Sequence, residues 1–443
     1  MRTFKIGGIH PPECKLGAGK PIKPLELPKQ GYVLLSQHIG APAVPVVERG
    51  ETVKTGQLIA KAGGFVSANI HSPFTGKVSK IADVVDASGY PKPAIVIDVQ
   101  PDEWAEGIDL SDKLERVCNL SPEEIVAKIA AAGIVGMGGA CFPTQVKLTP
   151  PPGKTADILI INGVECEPYL TADHQLMKEK APEIIVGINL LMKALKVNRA
   201  VIGIEANKPD AIEIMKHQAL PFAQIEVMPL QMHYPQGGEK QLIEAVTRRQ
   251  VKSGGLPVDV GAVVQNVGTV FAVYEAVQKN KPLIERVVSV TGKPLANPVN
   301  LKARIGTPIS ALIEAAGGLP ETAGKVISGG PMMGKALASL DAPVAKGTSG
   351  VLVMDEKESL RGEVRDCIRC AKCVDACPMG LEPFLLSALA ERQLWDRLEK
   401  EHMMDCIECG CCTFTCPANR HLLDYMRIGK GKVGALIRAR KAK

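Results

Sequence analysis

The chain has 443 residues, 46% of them hydrophobic, a length and composition typical of about three domains with substantial cores. Only 4% of the residues are aromatic and the net charge of +6 is spread along the chain, so no nucleic-acid partner is expected. The first residues have no apolar segment of the signal-peptide type, and the most apolar stretch, 184–195, is interrupted by Lys193. We therefore expect a cytoplasmic chain without a membrane span, whose 13 cysteines stay reduced.

Residues 1–110 are predicted to form a β domain. Short apolar runs alternate with Gly and Pro, at 32–35, 44–47 and 94–99. Segments 53–59 and 72–78 resemble the two halves of a lipoyl- or biotinyl-carrier domain, which is a barrel-sandwich fold. Such carriers place a modified lysine on the hairpin between the halves, but residues 63–67 contain no lysine. We interpret this domain as a structural or docking unit.

Residues 111–282 are predicted to form a Rossmann-like α/β domain. Ser121 followed by Pro122 is typical of a helix start, and the helix is expected to continue over 125–132. Apolar runs at 157–163 and 200–204 predict buried strands, and 182–195 predicts a helix between them. Strands that alternate with helices indicate a parallel sheet.

A smaller unit is predicted at 283–345. Strands are expected at 287–292 and 326–331, and a helix at 308–316 that ends before Gly317. Residues 355–443 are charged and are predicted to be helical.

Nine of the 13 cysteines lie between Cys367 and Cys416. Eight of them form two Cys-x2-Cys-x2-Cys-x3-Cys-Pro motifs, which is the spacing of bacterial two-cluster ferredoxins. In that pattern three closely spaced thiolates hold one [4Fe–4S] cluster and the fourth cysteine completes the other cluster. The predicted ligands of cluster 1, here called cluster site 1, are Cys367, Cys370, Cys373 and Cys416. Those of cluster 2, here called cluster site 2, are Cys406, Cys409, Cys412 and Cys377.

Zinc is the competing interpretation, because paired Cys-x2-Cys motifs also build zinc ribbons. A zinc site needs only four ligands and does not require two interleaved four-cysteine motifs, so iron–sulfur clusters are favoured. Cys411 fits neither motif and is expected to be a small buried residue. The linker 378–405 is too long for a compact ferredoxin, and its apolar residues have helical spacing. An all-helical ferredoxin domain within a larger redox protein is therefore predicted.

A glycine-rich stretch, 133–144, follows the first predicted helix. Glycines let backbone amides approach an anion closely, so a phosphate-bearing cofactor is one interpretation. The other is a tight turn in an α/β core.

Four motifs in the same order resemble those of the NADH- and FMN-binding subunits of respiratory complex I. The stretch 136–144, with Lys147 beyond it, resembles GRGGAGFPTGLKW, and 162–168 resembles NADEGEP. Residues 234–239 resemble YICGEE, and 265–269 resemble NNVET. With the carrier-like first domain and the paired cysteine motifs, the whole chain resembles the C subunits of the Rnf (or Rsx) ion-translocating electron-transport complexes.

This resemblance implies specific cofactor-binding residues. FMN would be held by Gly136, Gly138, Gly139, Lys147, Asn162, Tyr234, Asn266 and Thr269. NAD(H) would meet Phe142, Glu167 and Glu239, and the remaining cofactor-binding candidates are Glu165 and Gly237. The unit at 283–345 would be an SLBB domain of the β-grasp type. No catalytic side chain is assigned.

Three positions depart from the complex I motifs. Met137 stands in place of an arginine, Val164 of an aspartate and Gly238 of a glutamate, and each change removes a polar contact. These losses leave open a non-catalytic iron–sulfur adaptor without flavin. A second alternative is the NADH-oxidising subunit of a soluble hydrogenase or formate dehydrogenase.

The resemblance implies a peripheral electron-transfer subunit on the cytoplasmic face of the bacterial inner membrane. Electrons would pass between NAD(H), FMN and the two clusters, toward or from ferredoxin, in an ion-translocating NADH:ferredoxin-type oxidoreductase. The partners would be the other subunits of a membrane-bound Rnf-type complex. A basic run from Arg427 to Lys443 is interpreted either as a contact for anionic lipid or an acidic partner, or as a solvated helix.

Overall fold

The computed structural model describes residues 1–441, and its first hundred residues form two small antiparallel sheets. The strands of these two sheets are β2 (Gln30–Leu34), β3 (Val44–Pro45), β4 (Thr52–Val53), β5 (Leu58–Lys61), β6 (Ile70–His71), β7 (Gly76–Val85) and β8 (Pro91–Val99), and the strand before them, β1 (Ile22–Pro24), belongs to another sheet. One sheet has the order β2-β8-β7-β4 and the other β3-β5-β6. Both contribute to one core around Val33, Ile59, Phe74 and Ile95. The predicted barrel-sandwich architecture is therefore confirmed, and its lysine-free hairpin joins β5 to β6.

The central unit is a parallel sheet between helices. Its elements are α1 (Pro122–Ala131), α2 (Thr144–Lys147), β9 (Ile158–Asn162), α3 (Ala172–Glu179), α4 (Ala181–Leu195), β10 (Ala200–Glu205), α5 (Pro209–Ala219), β11 (Ile225–Leu230), α6 (Glu239–Thr247), β12 (Ala262–Asn266) and α7 (Val267–Gln278). Ser121 caps α1 as predicted, in a capping box with Glu124. The apolar strands pack on α1, α4 and α7 on one face and on α6 on the other.

The strand order β11-β10-β9-β12 determines where a ligand can bind in this unit. The chain builds outward from β9 to β11 and then returns to the other side of β9. The direction of strand addition therefore reverses between β9 and β12, and in parallel sheets of this type ligands bind at the carboxyl ends of the strands at such a switch point. Asn162 and Asn266, the last residues of β9 and β12, are paired in register at this edge.

The third unit is a mixed sheet of six strands, with the order β1-β14-β13-β17-β15-β16. Its elements are β13 (Glu285–Thr291), β14 (Val299–Arg304), α8 (Ile309–Ala315), β15 (Ala323–Ser328), β16 (Lys335–Ala336) and β17 (Gly350–Asp355). Two of these strands lie outside the predicted 283–345 unit. β1, from the start of the chain, pairs in parallel with β14, and β17 lies between β13 and β15.

The last unit consists of short helices packed on one long helix. The short helices are α10 (Lys372–Asp375), α11 (Pro383–Glu391), α12 (Trp395–Lys400) and α13 (Cys411–Phe414), and the long helix is α14 (Leu422–Lys441). The preceding helix, α9 (Glu356–Ser359), contacts β15 and β17 of the third unit. Leu386, Leu398, Met426 and Val433 form its core. The predicted helical linker between the cysteine motifs is present as α11 and α12, whereas 360–371 is not helical. Within residues 1–441, no helix combines the length and the apolar character needed to cross a membrane.

Candidate functional site

The two cysteine motifs have the same backbone bends. Arg369 and Ala371 in the first loop, and Glu408 and Gly410 in the second, have positive φ angles at equivalent positions. Each loop then enters a one-turn helix, α10 or α13, that contains the third cysteine of its motif. These left-handed residues turn each chain segment tightly, as a loop wrapped around a compact group requires.

Cluster site 2 is brought together from both motifs. Cys377 from the first motif and Cys406, Cys409 and Cys412 from the second line one small pocket, and all four are buried. Burial, together with the neighbouring Cys409, Cys406 and Cys377, raises the pKa of the Cys412 thiol to about 12. The backbone N–H groups of Leu381 and Glu408 donate to the sulfurs of Cys377 and Cys406, both at 3.4 Å. Converging thiols with N–H donors fit a cluster that carries negative charge.

Cluster site 1 shows the reciprocal exchange. Burial raises the pKa of Cys373, and the nearby Cys416 and Cys367 raise it further, so the fourth cysteine of the second motif lies with the first loop. Cys367 and Cys370 are exposed. Within the described 1–441 range, no three His, Cys, Asp or Glu side chains converge tightly enough for a single metal ion.

Cys411 is fully buried and lines the same pocket. A hydrogen bond between the two thiols raises the pKa of Cys411 and lowers that of Cys409. The expectation that Cys411 is buried is therefore confirmed, whereas its place outside the ligand set stays a prediction from the motif spacing.

The second group of predicted residues meets at the crevice edge of the parallel sheet, here called the sheet-edge site and centred on Asn162 and Asn266. A Cβ atom on Gly138 would lie 2.7 Å from Nδ2 of Asn266, so only glycine fits there. The hydroxyl of Thr269 accepts a hydrogen bond from the backbone N–H of Met137 at 2.9 Å. The glycine-rich loop is thereby held against the start of α7.

Asn266 is the N-cap of α7. Its side-chain oxygen accepts from the N–H groups of Gly268 at 2.9 Å and Thr269 at 3.3 Å. Its Nδ2 donates to Asp173 at 2.7 Å. Asp173 is a site residue that the sequence motifs did not identify. Burial raises its pKa, with the Glu165 carboxylate adding to the effect.

Lys147 supplies a cation at the sheet-edge site. Its Nζ lies 2.7 Å from Glu239 Oε1 and 3.2 Å from the carbonyl of Val264. On the other side of the edge, Asn162 Nδ2 donates to the carbonyl of Gly237 at 2.8 Å. Loops from four separate parts of the central unit therefore converge on one edge.

The remaining loop positions leave room for a ligand. The N–H of Gly136 donates to the carbonyl of Phe142 at 2.9 Å, which closes the glycine-rich turn. A Cβ on Gly139 would meet no atom within 4 Å, and this part of the loop is exposed. A lysine cation, a helix N-terminus, two side-chain amides and an open glycine turn fit a phosphate-bearing cofactor such as FMN.

Three predicted residues make other contacts. The Glu165 carboxylate accepts from the N–H groups of Asp173 and His174 at the start of α3. The Glu167 carboxylate accepts from the N–H groups of Met332 and Met333 in the third unit, and burial raises its pKa to about 7. The Tyr234 hydroxyl donates to the carbonyl of Cys409 at 2.8 Å, so its polar end lies at cluster site 2 and not at the sheet-edge site.

Two cations near the site, one partly buried and one buried, were not identified from the sequence. Lys15 Nζ donates to the carbonyls of Glu165, Glu167 and Leu170 at 2.8–2.9 Å and fixes that loop. The Arg286 guanidinium contacts the carbonyls of Met137 and Lys346. A lone Lys or Arg in a chain with 53 of them gives no sequence signal of this kind.

The chain is similar over its whole length to known proteins. It is 47% identical to the C subunit of the proton-translocating ferredoxin:NAD(+) oxidoreductase complex of Clostridium ljungdahlii, over 100% of this chain and 96% of that protein. This chain belongs to the RnfC family. Family models support the membership: the RnfC barrel sandwich hybrid domain matches residues 3–102, the Nuo51 FMN-binding domain 129–275 and the SLBB domain 287–336.

Further RnfC relatives cover nearly the whole chain. The C subunit of the Na(+)-translocating ferredoxin:NAD(+) oxidoreductase complex of Acetobacterium woodii is 42% identical over 97% of this chain and 97% of that protein. The C subunit of an ion-translocating oxidoreductase complex of Rhodobacter capsulatus is 44% identical over 98% of this chain and 84% of that protein. The resemblance that the motifs indicated is therefore confirmed over the length of the chain.

Proposed function

We propose that this chain is the peripheral subunit of a membrane-bound ferredoxin:NAD+ oxidoreductase complex that carries electrons between NAD(H), FMN and two [4Fe–4S] clusters. The proposal rests on one observation: a single chain of this family joins a sheet-edge site with Lys147, Asn162 and Asn266 to a helical unit with two groups of cysteines. Its location on the cytoplasmic face, and its domain limits at 1–110, 111–282, 283–345 and 355–443, are part of the proposal.

The chain's own residues would hold and orient the cofactors. Lys147 would offset phosphate charge, and the amides of Asn162 and Asn266 would hydrogen-bond to FMN beside the N-terminus of α7. Glu239 and Phe142 border the same edge and would meet the nicotinamide nucleotide. Bound FMN would supply the conversion between two-electron hydride chemistry and single-electron transfer. The eight motif cysteines would hold the clusters as a helical two-cluster ferredoxin domain.

The second candidate is an iron–sulfur adaptor without flavin, because two of the three positions that depart from the complex I motifs are buried. Met137 and Val164 are both buried, so neither position offers a polar group to a flavin. The full-length identity to subunits of translocating complexes favours a membrane complex over a soluble hydrogenase in either case.

The deciding experiment is cofactor analysis of the full chain purified without oxygen. Iron, acid-labile sulfide and extracted flavin would be measured per chain. We expect about eight irons and one FMN, with flavin absorbance bleached by NADH. Eight irons without flavin, even after FMN is added, would support the adaptor instead. Four irons or fewer would contradict the cluster assignment.

A further inference from the structure

Residues 234–237, here called the bridge loop, connect the two sites. At one end the carbonyl of Gly237 accepts from Asn162 of the sheet-edge site at 2.8 Å, and its N–H donates to the sulfur of Cys166 at 3.3 Å. At the other end the Tyr234 hydroxyl donates to Cys409 in cluster site 2 at 2.8 Å. Four residues therefore span from a candidate flavin contact to a candidate cluster ligand.

The N-terminal segment clamps this loop onto the cysteine unit. Ile9 and Tyr234 exchange backbone hydrogen bonds, each 2.9 Å long, and Gly8 donates its N–H to the carbonyl of Ala376 at 3.0 Å. Gly7 has a φ of +68°, and a Cβ there would lie 2.4 Å from the carbonyl of Cys377. The contact is close enough that only glycine fits, so the bridge loop has little freedom to move away from cluster site 2.

Tyr234 is buried in an apolar environment and makes a specific contact there. Its side chain is 2% exposed and packs with Ile9, Ala376, Cys409 and Cys411. A buried phenol hydroxyl needs a hydrogen-bond acceptor, and here the acceptor is the backbone carbonyl of Cys409, a candidate cluster ligand. The positive end of its O–H dipole therefore points toward cluster site 2.

A second donor approaches the same site from α14. Lys430 Nζ donates to the carbonyl of Cys406 at 2.6 Å and also lies 3.2 Å from Glu408. Glu408 in turn lies 3.5 Å from Arg427 of the same helix. The backbone carbonyls of two candidate ligands of cluster 2 thus each accept a hydrogen bond from a side chain of another element.

We propose that Tyr234 and Lys430 are positioning residues that raise the reduction potential of cluster 2 relative to what its cysteines alone would give. The inference rests on the proposed function, since it requires the clusters. Reduction adds a negative charge to a cluster, and a donor or cation nearby stabilises the reduced state. Lys430 contributes a charge that Glu408 partly offsets at 3.2 Å, and Tyr234 contributes a dipole.

The test is an EPR-monitored redox titration of the anaerobic full chain. We expect Tyr234→Phe and Lys430→Gln to keep about eight irons while lowering the potential of cluster 2 and leaving cluster 1 unchanged. Cys370→Ala, which removes a ligand of cluster 1, identifies the remaining signal as that of cluster 2. Lys430→Arg keeps the charge and should restore the potential toward the wild-type value.

Matched controls are available in the same unit. Tyr425→Phe removes a hydroxyl whose partner is Glu391, and Lys432→Gln removes an exposed charge from the same helix as Lys430. Both should leave both potentials unchanged. If Tyr234→Phe loses cluster 2, Lys430→Gln decides the question, because it leaves the bridge loop intact.

Two negative outcomes can be distinguished. Wild-type potentials for both clusters in Tyr234→Phe and Lys430→Gln, with about eight irons present, would overturn this inference and leave the proposed function standing. A wild-type chain with about four irons would instead overturn the proposed cluster content.

Discussion

Individual residues at the sheet-edge site both hold neighbouring elements of the fold together and shape the site. Lys147 bonds to Glu239 and to the carbonyl of Val264, which ties α2 to α6 and to β12 and leaves its cation at the crevice. Gly138 has no side chain because Asn266 occupies that space. The residues that the sequence motifs specify are therefore the ones that make close contacts at the sheet-edge site.

Lys147→Ala should weaken flavin binding and leave the iron content intact. Loss of one charge-assisted contact to a phosphate costs about 1.5–3 kcal/mol, or roughly a tenfold to hundredfold rise in the FMN Kd. Flavin extracted per chain and fluorescence titration with FMN would measure it. The control is Lys154→Ala, which removes a lysine paired with Asp259 on the surface. Equal FMN affinity in both variants would show that Lys147 does not contact the flavin.

Cys370→Ala should lower the iron content from about eight to about four atoms per chain, because a cubane that loses one thiolate is held poorly. Cys118→Ala is the control, since Cys118 is partly buried but lies outside both motifs. Iron and sulfide analysis under anaerobic conditions would measure the change. Full iron retention in Cys370→Ala would contradict the ligand assignment.

Among the secondary-structure elements, α7 carries the largest share of the sheet-edge site. Its N-cap Asn266, its first-turn Thr269 and the preceding strand β12 all lie at the crevice, while its apolar residues pack against α4 and α1. The helix is held by its buried residues, and its first N–H groups are capped by Asn266 at the site.

Asn266→Ala should reduce both stability and flavin occupancy. The N-cap bonds to Gly268 and Thr269 are lost, which costs about 1–2 kcal/mol of unfolding free energy, and Asp173 loses its donor. Ser121→Ala removes the N-cap of α1, away from the crevice, and should cost a similar amount of stability with flavin retained. Urea unfolding and flavin analysis of both variants would separate the two effects. Parallel flavin loss in Ser121→Ala would show that stability alone controls occupancy.

Across the whole molecule, Lys346 connects three units. Its Nζ donates to the carbonyls of Asn69 in the barrel-sandwich unit at 2.8 Å and Gly133 in the central unit at 2.7 Å. Its backbone N–H donates to Gln37, and its carbonyl accepts from Arg286. Burial lowers the pKa of Lys346 to about 7. The junction is therefore built around a lysine that lies close to neutrality.

Lys346 should make the chain more stable as the pH rises above 7. Between its folded pKa of about 7 and its ordinary value of 10.5, the unfolded chain binds a proton that the folded chain does not. The unfolding free energy then rises with pH, by up to about 1.4 kcal/mol per pH unit. Apparent urea midpoints of the anaerobic protein at pH 7, 8 and 9 would measure this rise.

Lys346→Met should lose that component of the rise, whereas Lys77→Met, at an exposed strand position, should keep it. Identical slopes in wild type and Lys346→Met would contradict the lowered pKa.

The amino-acid sequence by itself determined those features that depend on neighbours along the chain. The period of apolar residues predicted β9, α4 and β10, the pairing of Ser121 with Pro122 predicted the start of α1, and the cysteine spacing predicted two like motifs, whose loops have the same backbone bends in the structure. Each rests on local geometry, in which spacing fixes which side chains share a face or a loop. The ordered motifs likewise placed Gly138, Asn162 and Asn266 at one site.

Only the tertiary structure decided the contacts between distant segments. β1, with three residues and little burial, has no periodicity that would reveal its pairing with β14. The bond from Tyr234 to Cys409 spans 175 positions, and the Lys346 bond to Asn69 spans 277. Such contacts exist because folding buries a polar group that must then find a partner, and which partner it meets depends on how the units pack.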